Sequence, residues 1–281
     1  MNKTYQKLVK SLHQKKNRIA ENLFLVEGTK SVSELLQTYT NRNDKNIANN
    51  SANSFVNSFV NSFVIKALFY TESFYEIHAN KLSANPAYSA IYQAITSQEV
   101  LEQSGTLQSN DGAIAVVEIP INPTNFGTQN YVLALDDIRD PGNLGAMIRI
   151  ADWYGIKQII CSQTTVDWYN PKVIIASMGS FLRVTPYYCD LENYLENYSV
   201  THTKPAIYGM FLEGENLHTT QFAAQGIIIV GNESNGILPK IANYVSKKIT
   251  IQRFGEAESL NAAMATAIVF DNLRRYLTLE I

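Results

Sequence analysis

Three stretches of this chain place amide, carboxylate and guanidinium side chains beside glycines, each just after an apolar run. Tyr131–Gly155 carries Asp140, Pro141, Asn143, Gly145 and Arg149; Gly226–Gly236 carries Gly231, Asn232 and Glu233; Ile249–Ile268 carries Gly255, Glu258, Ser259 and Asn261. Main-chain N–H groups at a helix start near Gly145 can hold anionic or polar ligand groups. Taken singly the signals are weak. A Gly-Asn pair is ordinarily only a turn, and Arg149 alone would be a surface charge on a helix. Together they matter, because ligands of open α/β sheets collect at strand ends of this kind, and the three read as walls of one pocket. It is not a dinucleotide site: G-x-G-x-x-G is missing throughout the chain.

Such walls need a sheet to position them. From Tyr131 onward β-type runs alternate with helical ones: YVLAL, LGAMIRIADWY, KQIIC, then a helix opened by Asn170-Pro171. Asn suits the N-cap there and Pro the first helical position. A helix at Leu191–Tyr198, strands at Ala206–Gly209 and Gly226–Val230, a short helix from Ile237 and a strand at Lys247–Ile251 follow. A helix over Ser259–Leu277 closes the chain. This alternation implies a mostly parallel sheet covered on both faces.

The first half reads as a smaller α/β unit. Lys3–Lys16 sets Leu8, Val9 and Leu12 at helical spacing among lysines, which predicts a short amphipathic helix. Strands are expected at Phe24–Val26, Ile65–Tyr70, Ile95–Ser97 and Ala113–Val117, with helices at Ser31–Tyr39 and Ser73–Ala79. Asn53–Val64 is three tandem copies of NSFV inside an uncharged stretch, residues 46–65. A period of four matches neither strand nor helix, so an expanded surface loop is expected, with an aggregation-prone composition. Ile119–Asn130, uncharged and rich in Pro and amides, is the best linker. The expected domains are residues 1–120 and 131–281, joined by 121–130.

A length of 281 residues suits two domains, and 46% apolar with 17% charged residues is the composition of a folded protein. No apolar run approaches the roughly 20 residues that span a bilayer, and no apolar segment follows the basic N-terminus as a secretory signal requires. Cys161 and Cys189 are too few for a disulfide framework, and the four histidines do not cluster at metal-ligand spacing. A reducing cytoplasm and no metal are expected. The net charge of −2 argues against a general polyanion binder, yet Lys3, Lys7, Lys10, Lys15, Lys16 and Arg18 all precede the first acid, Glu21. Such an arm is an electrostatic footprint for phosphates, or else a solvated, frayed terminus.

In their order and spacing the three stretches resemble the signature motifs of the SpoU (TrmH) family of RNA ribose 2′-O-methyltransferases, in the SPOUT superfamily. Asp140, Pro141, Asn143, Gly145 and Arg149 match D-P-x-N-x-G-x-x-x-R, and Gly231, Asn232, Glu233 and Gly236 match G-N/A-E-x-x-G. Ile251, Gly255, Glu258, Ser259, Leu260 and Asn261 match I-P…G-x-x-E-S-L-N, with Gln252 where proline is usual. The resemblance spans about Tyr131–Tyr276, and Phe24–Gly28 (FLVEG) resembles the family's ribosomal-protein-L30e-like substrate-binding module. It implies an α/β protein: a SPOUT-type parallel-sheet domain with a trefoil knot, which sequence rules exclude by default, behind a small L30e-like α/β domain.

The resemblance also implies a chemistry. S-adenosylmethionine would be contacted by Gly231, Ile251 and Leu260, largely through main-chain groups, in a homodimer with the site near its interface. Asn143, Arg149, Glu233, Ser259 and Asn261 would form the catalytic and RNA-side set. A ribose 2′-hydroxyl attacks the sulfonium methyl, and Arg149 is either the base or the group that holds a phosphate and stabilises the alkoxide. Lys172, Arg183 and Arg253 are further candidate phosphate contacts. Tyr169 and Trp153 could stack on bases or serve core and dimer packing. Large-subunit rRNA is the expected substrate by analogy; the alternatives are tRNA, or an RNA-binding or ribosome assembly factor without turnover.

Overall fold

A computed structural model describes residues 1–41, 63–84, 88, 91–121 and 131–279. The chain divides into two compact units: Met1–Thr124 with Asp167–Arg183, and Asn125–Val166 with Val184–Ile281.

The first unit runs α1 (Lys3–Ser11), α2 (Lys15–Glu21), β1 (Leu23–Glu27), α3 (Thr29–Asn41), β2 (Val64–Tyr70), α4 (Glu72–Ala84), β3 (Tyr92–Ile95), α5 (Gln98–Ser104) and β4 (Ala113–Glu118). Its sheet has the order β1-β4-β2-β3, with β4 antiparallel to both neighbours and β2 parallel to β3. Val9 and Leu12 from the amphipathic start pack with Leu25, Phe69 and Val116 of this sheet and with Leu101 of α5. The single helix expected over Lys3–Lys16 is two helices. Arg18 of α2 donates to the carbonyls of Leu12 (2.8 Å) and His13 (3.0 Å), which satisfies the end of α1 and fixes the break. Ser97, expected in a strand, instead caps α5 by accepting from the Val100 amide. Of the NSFV repeat, Phe63 is buried and Val64 opens β2. The rest of the repeat, and residues 122–130 of the expected linker, lie outside the described residues.

The second unit runs β5 (Tyr131–Asp136), α6 (Pro141–Trp153), β6 (Gln158–Ser162), then, past the excursion that contains α7 (Pro171–Ser177), β7 (Thr185–Cys189) and α8 (Leu191–Thr201). It ends with β8 (Ile207–Asn216), β9 (Gly226–Gly231), α9 (Pro239–Ala242), β10 (Lys247–Thr250) and α10 (Ala262–Leu279). The six strands are all parallel, in the order β10-β8-β9-β5-β6-β7. Ala134, Ile160, Ile207, Ile227 and Ile229 bury one face under Leu191, Leu195, Ile237 and Ile241 of the segment following β7 and β9. α10 packs against α6. β7 is the strand the sequence hides: Pro186 lowers its strand signal, and it is tolerated because β7 is an edge. α10 begins at Ala262, not Ser259, so Ser259, Leu260 and Asn261 lie ahead of the helix.

Asp167–Arg183, expected with the C-terminal domain, packs with the first unit. α7 lies on β1, and Phe24 meets Tyr169 at 4.7 Å and Phe181 at 6.1 Å between ring centroids. Arg18, only 2% exposed, ends on Asp167 (Nε 3.0 Å, Nη2 2.5 Å), and Arg183 pairs with Glu34 at 2.8 Å. Truncating one partner of a buried pair such as Arg18–Asp167 leaves an uncompensated charge, at about 3–5 kcal/mol. Tyr169 is therefore a core residue rather than a base-stacking surface, and the Arg183 guanidinium has a carboxylate partner.

Candidate active site

The three walls lie at the carboxyl ends of parallel strands. β5 and β9 are neighbours, with Asp136 opposite Gly231. The chain leaves β5 towards β6 on one side and reaches β9 from β8 on the other. Such a reversal point leaves a crevice beyond the strand ends.

At the end of β5 the backbone turns through Asp137, whose φ of 61° is unusual for a residue with a side chain. Three bonds hold it there. Its N–H donates to Ser162 Oγ (2.9 Å), its carbonyl accepts from Asn232 Nδ2 (2.8 Å), and its carboxylate forks onto Arg139 (3.1 and 3.0 Å). The turn delivers Asp140 as N-cap of α6, with its side chain accepting from the Asn143 amide at 2.7 Å and Pro141 in the first turn. Asn143 is thereby fixed in the first turn of α6.

The loop after β9 is closed on itself. Asn232 and Gly236 exchange main-chain bonds (3.1 and 2.9 Å), and Asn232 Oδ1 accepts from the amides of Ser234 (2.8 Å) and Asn235 (3.2 Å). A Cβ on Gly231 would stand 2.2 Å from the Gly236 carbonyl carbon and 2.3 Å from the Ile237 nitrogen, so only glycine fits. Asp136, buried under this loop, accepts from the Leu238 amide at 2.8 Å; burial, its largest influence, raises its pKa from 3.8.

The third wall is the opposite in kind. Gln252–Leu260 makes no main-chain to main-chain hydrogen bond with a described residue, and its side chains are exposed. Its far end is anchored: Asn261 Oδ1 caps α10 by accepting from Ala263 (3.0 Å) and Met264 (3.3 Å).

These three anchors meet. Asn261 Nδ2 donates to Asn143 Oδ1 at 2.8 Å, and Asn143 Nδ2 donates to Glu233 Oε1. The α10 cap orients the Asn261 amide, Asn261 orients Asn143, and the chain ends on a carboxylate. A carboxylate beside the first turn of α6 also suits the positive end of that helix. Glu233 Oε2 makes no hydrogen bond with a described residue.

Not every expected residue joins this chain. Arg149 is exposed on α6 and makes no hydrogen bond or ion pair with a described residue. Ser259 and Leu260 are exposed in the open loop, and Ile251 stands half-buried at its start. Gln252 accepts from Asn216 Nδ2 at 2.9 Å. Arg253 donates to the Ala257 carbonyl at 3.3 Å, Lys172 is exposed on α7, and Trp153 is 83% exposed. The sequence reading missed the frame, namely Asp136, Asp137, Ser162 and Asn232. Two adjacent acids closing an apolar strand were the available signal.

Residues 130–271 match the family model described as SpoU rRNA Methylase family. The chain belongs to this family. Residues 4–47 match a second model, the MRM3-like substrate binding domain. Among curated relatives, the chain is 28% identical over 268 residues to 23S rRNA (guanosine(2553)-2′-O)-methyltransferase RlmP of Bacillus subtilis, covering 94% of each. Among solved structures, it superposes on an AdoMet-bound rRNA methyltransferase from Sinorhizobium meliloti with a TM-score of 0.75 and 25% identity, over 98% of this chain and 95% of that one. The SpoU methyltransferase AviRb from Streptomyces viridochromogenes, at 20% identity, shares the fold with a TM-score of 0.78 over 99% of both chains. The α/β architecture with a parallel sheet is thus that of the family. Among the described residues no helix is long and apolar enough to cross a membrane.

Proposed function

We propose that the chain transfers a methyl group from S-adenosylmethionine to a ribose 2′-hydroxyl of 23S rRNA. The Asn261–Asn143–Glu233 hydrogen-bond chain carries this reading, since it gathers three polar side chains from three separate strand-end segments at one point. The protein supplies orientation and electrostatics, as expected where a cofactor brings the reactive group.

The third wall fits that cofactor. Apart from the Ala257 carbonyl, which accepts from the Arg253 side chain, its main-chain N–H and C=O groups have no partner within the loop, and a Cβ on Gly255 or Gly236 would meet nothing within 4 Å, so there is room and bonding capacity for a bent ligand. Gly231, Ile251 and Leu260 would hold it through main-chain groups. S-adenosylmethionine supplies an electrophilic methyl when bound. Glu233 Oε2 receives the hydrogen bond of the 2′-hydroxyl, Asn143 holds Glu233 in place, and Ser259 with Asn261 lines the RNA side. The Arg149 guanidinium offers hydrogen-bond donors and no acceptor. Its free guanidinium holds the adjoining phosphate and stabilises the developing alkoxide as the hydroxyl proton passes to Glu233 Oε2 and the methyl leaves sulfur for the ribose oxygen.

The same reading makes residues 1–120 the L30e-like substrate-binding domain, 121–130 a linker and 131–281 the methyltransferase domain, in a cytoplasmic homodimer. Phe254, Leu260 and Met264, at 89, 47 and 64% exposure, leave apolar side chains in water on the loop of the third wall and at the start of α10, which suits a second copy of the chain. The route from β10, at a sheet edge, back to α10 against α6 supports a knotted crossing of residues 251–261.

Arg149→Ala tests the assignment. Methylation of 23S rRNA should fall by roughly 100- to 1,000-fold in kcat, while calorimetric titration gives an unchanged affinity for S-adenosylmethionine. Near-normal turnover in that variant would remove Arg149 from the chemistry.

A further inference from the structure

The N-terminal lysines need a reason that the fold does not provide. Lys3, Lys7 and Lys10 stand at helical spacing on α1, and Lys15 and Lys16 open α2; all five are exposed. None makes an ion pair or a side-chain hydrogen bond with a described residue. Except for Lys10 in the last turn of α1, their positions work against helix stability. Neither helix has an acid in its first turn, and Lys3, Lys15 and Lys16 put positive charge where the helix dipole is already positive. Lys3 and Lys7 also repel each other across one turn. Arg18, the one base in this run with a structural task, is buried on Asp167.

The lysines are nevertheless carried on a firm support. Asn2 caps α1, Val9 and Leu12 are buried in the core, and Tyr5 stacks on Tyr92 (4.5 Å, 22°) and packs on Phe69 (5.2 Å). That excludes the frayed terminus considered from sequence alone. The charge is also local: six of the 23 basic residues precede the first of the 25 acids, leaving 17 against 25 in the rest of the chain. Within a chain of net charge −2, two consecutive ordered helices therefore carry a local excess of exposed positive charge.

We propose that these exposed lysines of α1 and α2 grip the phosphodiester backbone of the RNA substrate. The inference rests on the methyltransferase reading and adds the surface that holds the RNA. Phosphate is the matching partner, because each neutralised phosphate releases counterions and makes binding fall with salt. The contacts are to the backbone and so position the RNA without reading its sequence.

The dipole argument supplies a test free of folding artefacts, since Lys3→Glu, Lys15→Glu and Lys16→Glu each suit a helix N-terminus. The full-length triple variant should keep or raise its Tm and keep its affinity for S-adenosylmethionine. Its affinity for an in-vitro 23S rRNA transcript should drop at least about 10-fold, and the slope of log affinity against log salt should become shallower by about 2. The triple Lys→Arg variant should retain wild-type binding. Unchanged affinity and slope in the Glu variant would overturn the inference. Loss of affinity for phosphatidylserine vesicles with rRNA binding intact would overturn it equally, in favour of a lipid surface. A wild-type protein that neither binds nor methylates the transcript would instead overturn the functional reading on which the inference stands.

Discussion

Two strand-end loops of one sheet face the same hydrogen-bond chain and are built on opposite plans. Residues 232–238 spend their polar groups on each other and on β5: Asn232 serves Ser234, Asn235, Gly236 and the Asp137 carbonyl, and Leu238 binds Asp136. Residues 252–260 make no main-chain to main-chain bond among themselves, the Ala257 carbonyl accepting only from the Arg253 side chain, and their side chains are exposed. The first loop is a fixed reference that holds Glu233 before any ligand arrives. The second is complete only when something else satisfies it. Pre-organised polar groups suit transition-state stabilisation, whereas an open loop can wrap a cofactor and a partner subunit.

The sharpest way to break this contrast is a pair of glycine substitutions. Gly231→Ala drives a Cβ into the backbone at 2.2 Å, so Glu233 must shift. Roughly 100-fold in kcat should be lost, with about 1–3 kcal/mol of stability by urea denaturation. Gly255→Ala meets open space, and its stability should stay within about 0.5 kcal/mol of wild type. Equal destabilisation by both would erase the distinction. Asn232→Ala comes next. It strips partners from the Asp137 carbonyl and two amides, for a loss of about 1–3 kcal/mol and a weakened kcat.

Hydrogen exchange sharpens the contrast without mutation. The amides of Ser234, Asn235, Gly236 and Leu238 should be protected in the ligand-free protein, and those of 252–260 should gain protection only on adding S-adenosylmethionine. Protection of both loops beforehand counts against the open-loop reading. The smallest effect is electrostatic. Burial raises the pKa of Asp136 above 3.8, so the folded state holds its proton longer than the unfolded chain. Its stability contribution is therefore largest at low pH and declines as pH rises from about 3.8 through the raised value. Asp136→Asn should flatten that part of the pH–stability curve, and an unchanged curve would assign the dependence elsewhere.

Legibility from sequence followed the range of the interactions. The parallel sheet was readable because its strands are near-continuous Ile, Val and Leu runs, and the three walls because their glycines and amides sit in short motifs. β7 was not, since Pro186 and three polar-tipped residues blur its pattern, and only its edge position makes it a strand. The α1–α2 break depends on Arg18 reaching back to Leu12, and the start of α10 on Asn261 as cap. Asp137 escaped notice because its role lies in backbone geometry and in partners, Ser162 and Asn232, that are distant in the chain. The placement of Asp167–Arg183 was invisible for the same reason: Phe24, Phe181, Arg18 and Asp167 declare nothing about each other until folded.

That segment has a consequence for synthesis on the ribosome. Domains emerging N-terminal first generally fold as units, but here β1 waits for aromatic cover that is translated only with Tyr169 and Phe181. Until then Phe24 faces water, and Arg18 lacks its carboxylate. The nascent N-terminal half is held unfinished until synthesis has passed Phe181, with less than half of the second unit made, a window in which a chaperone has something to bind.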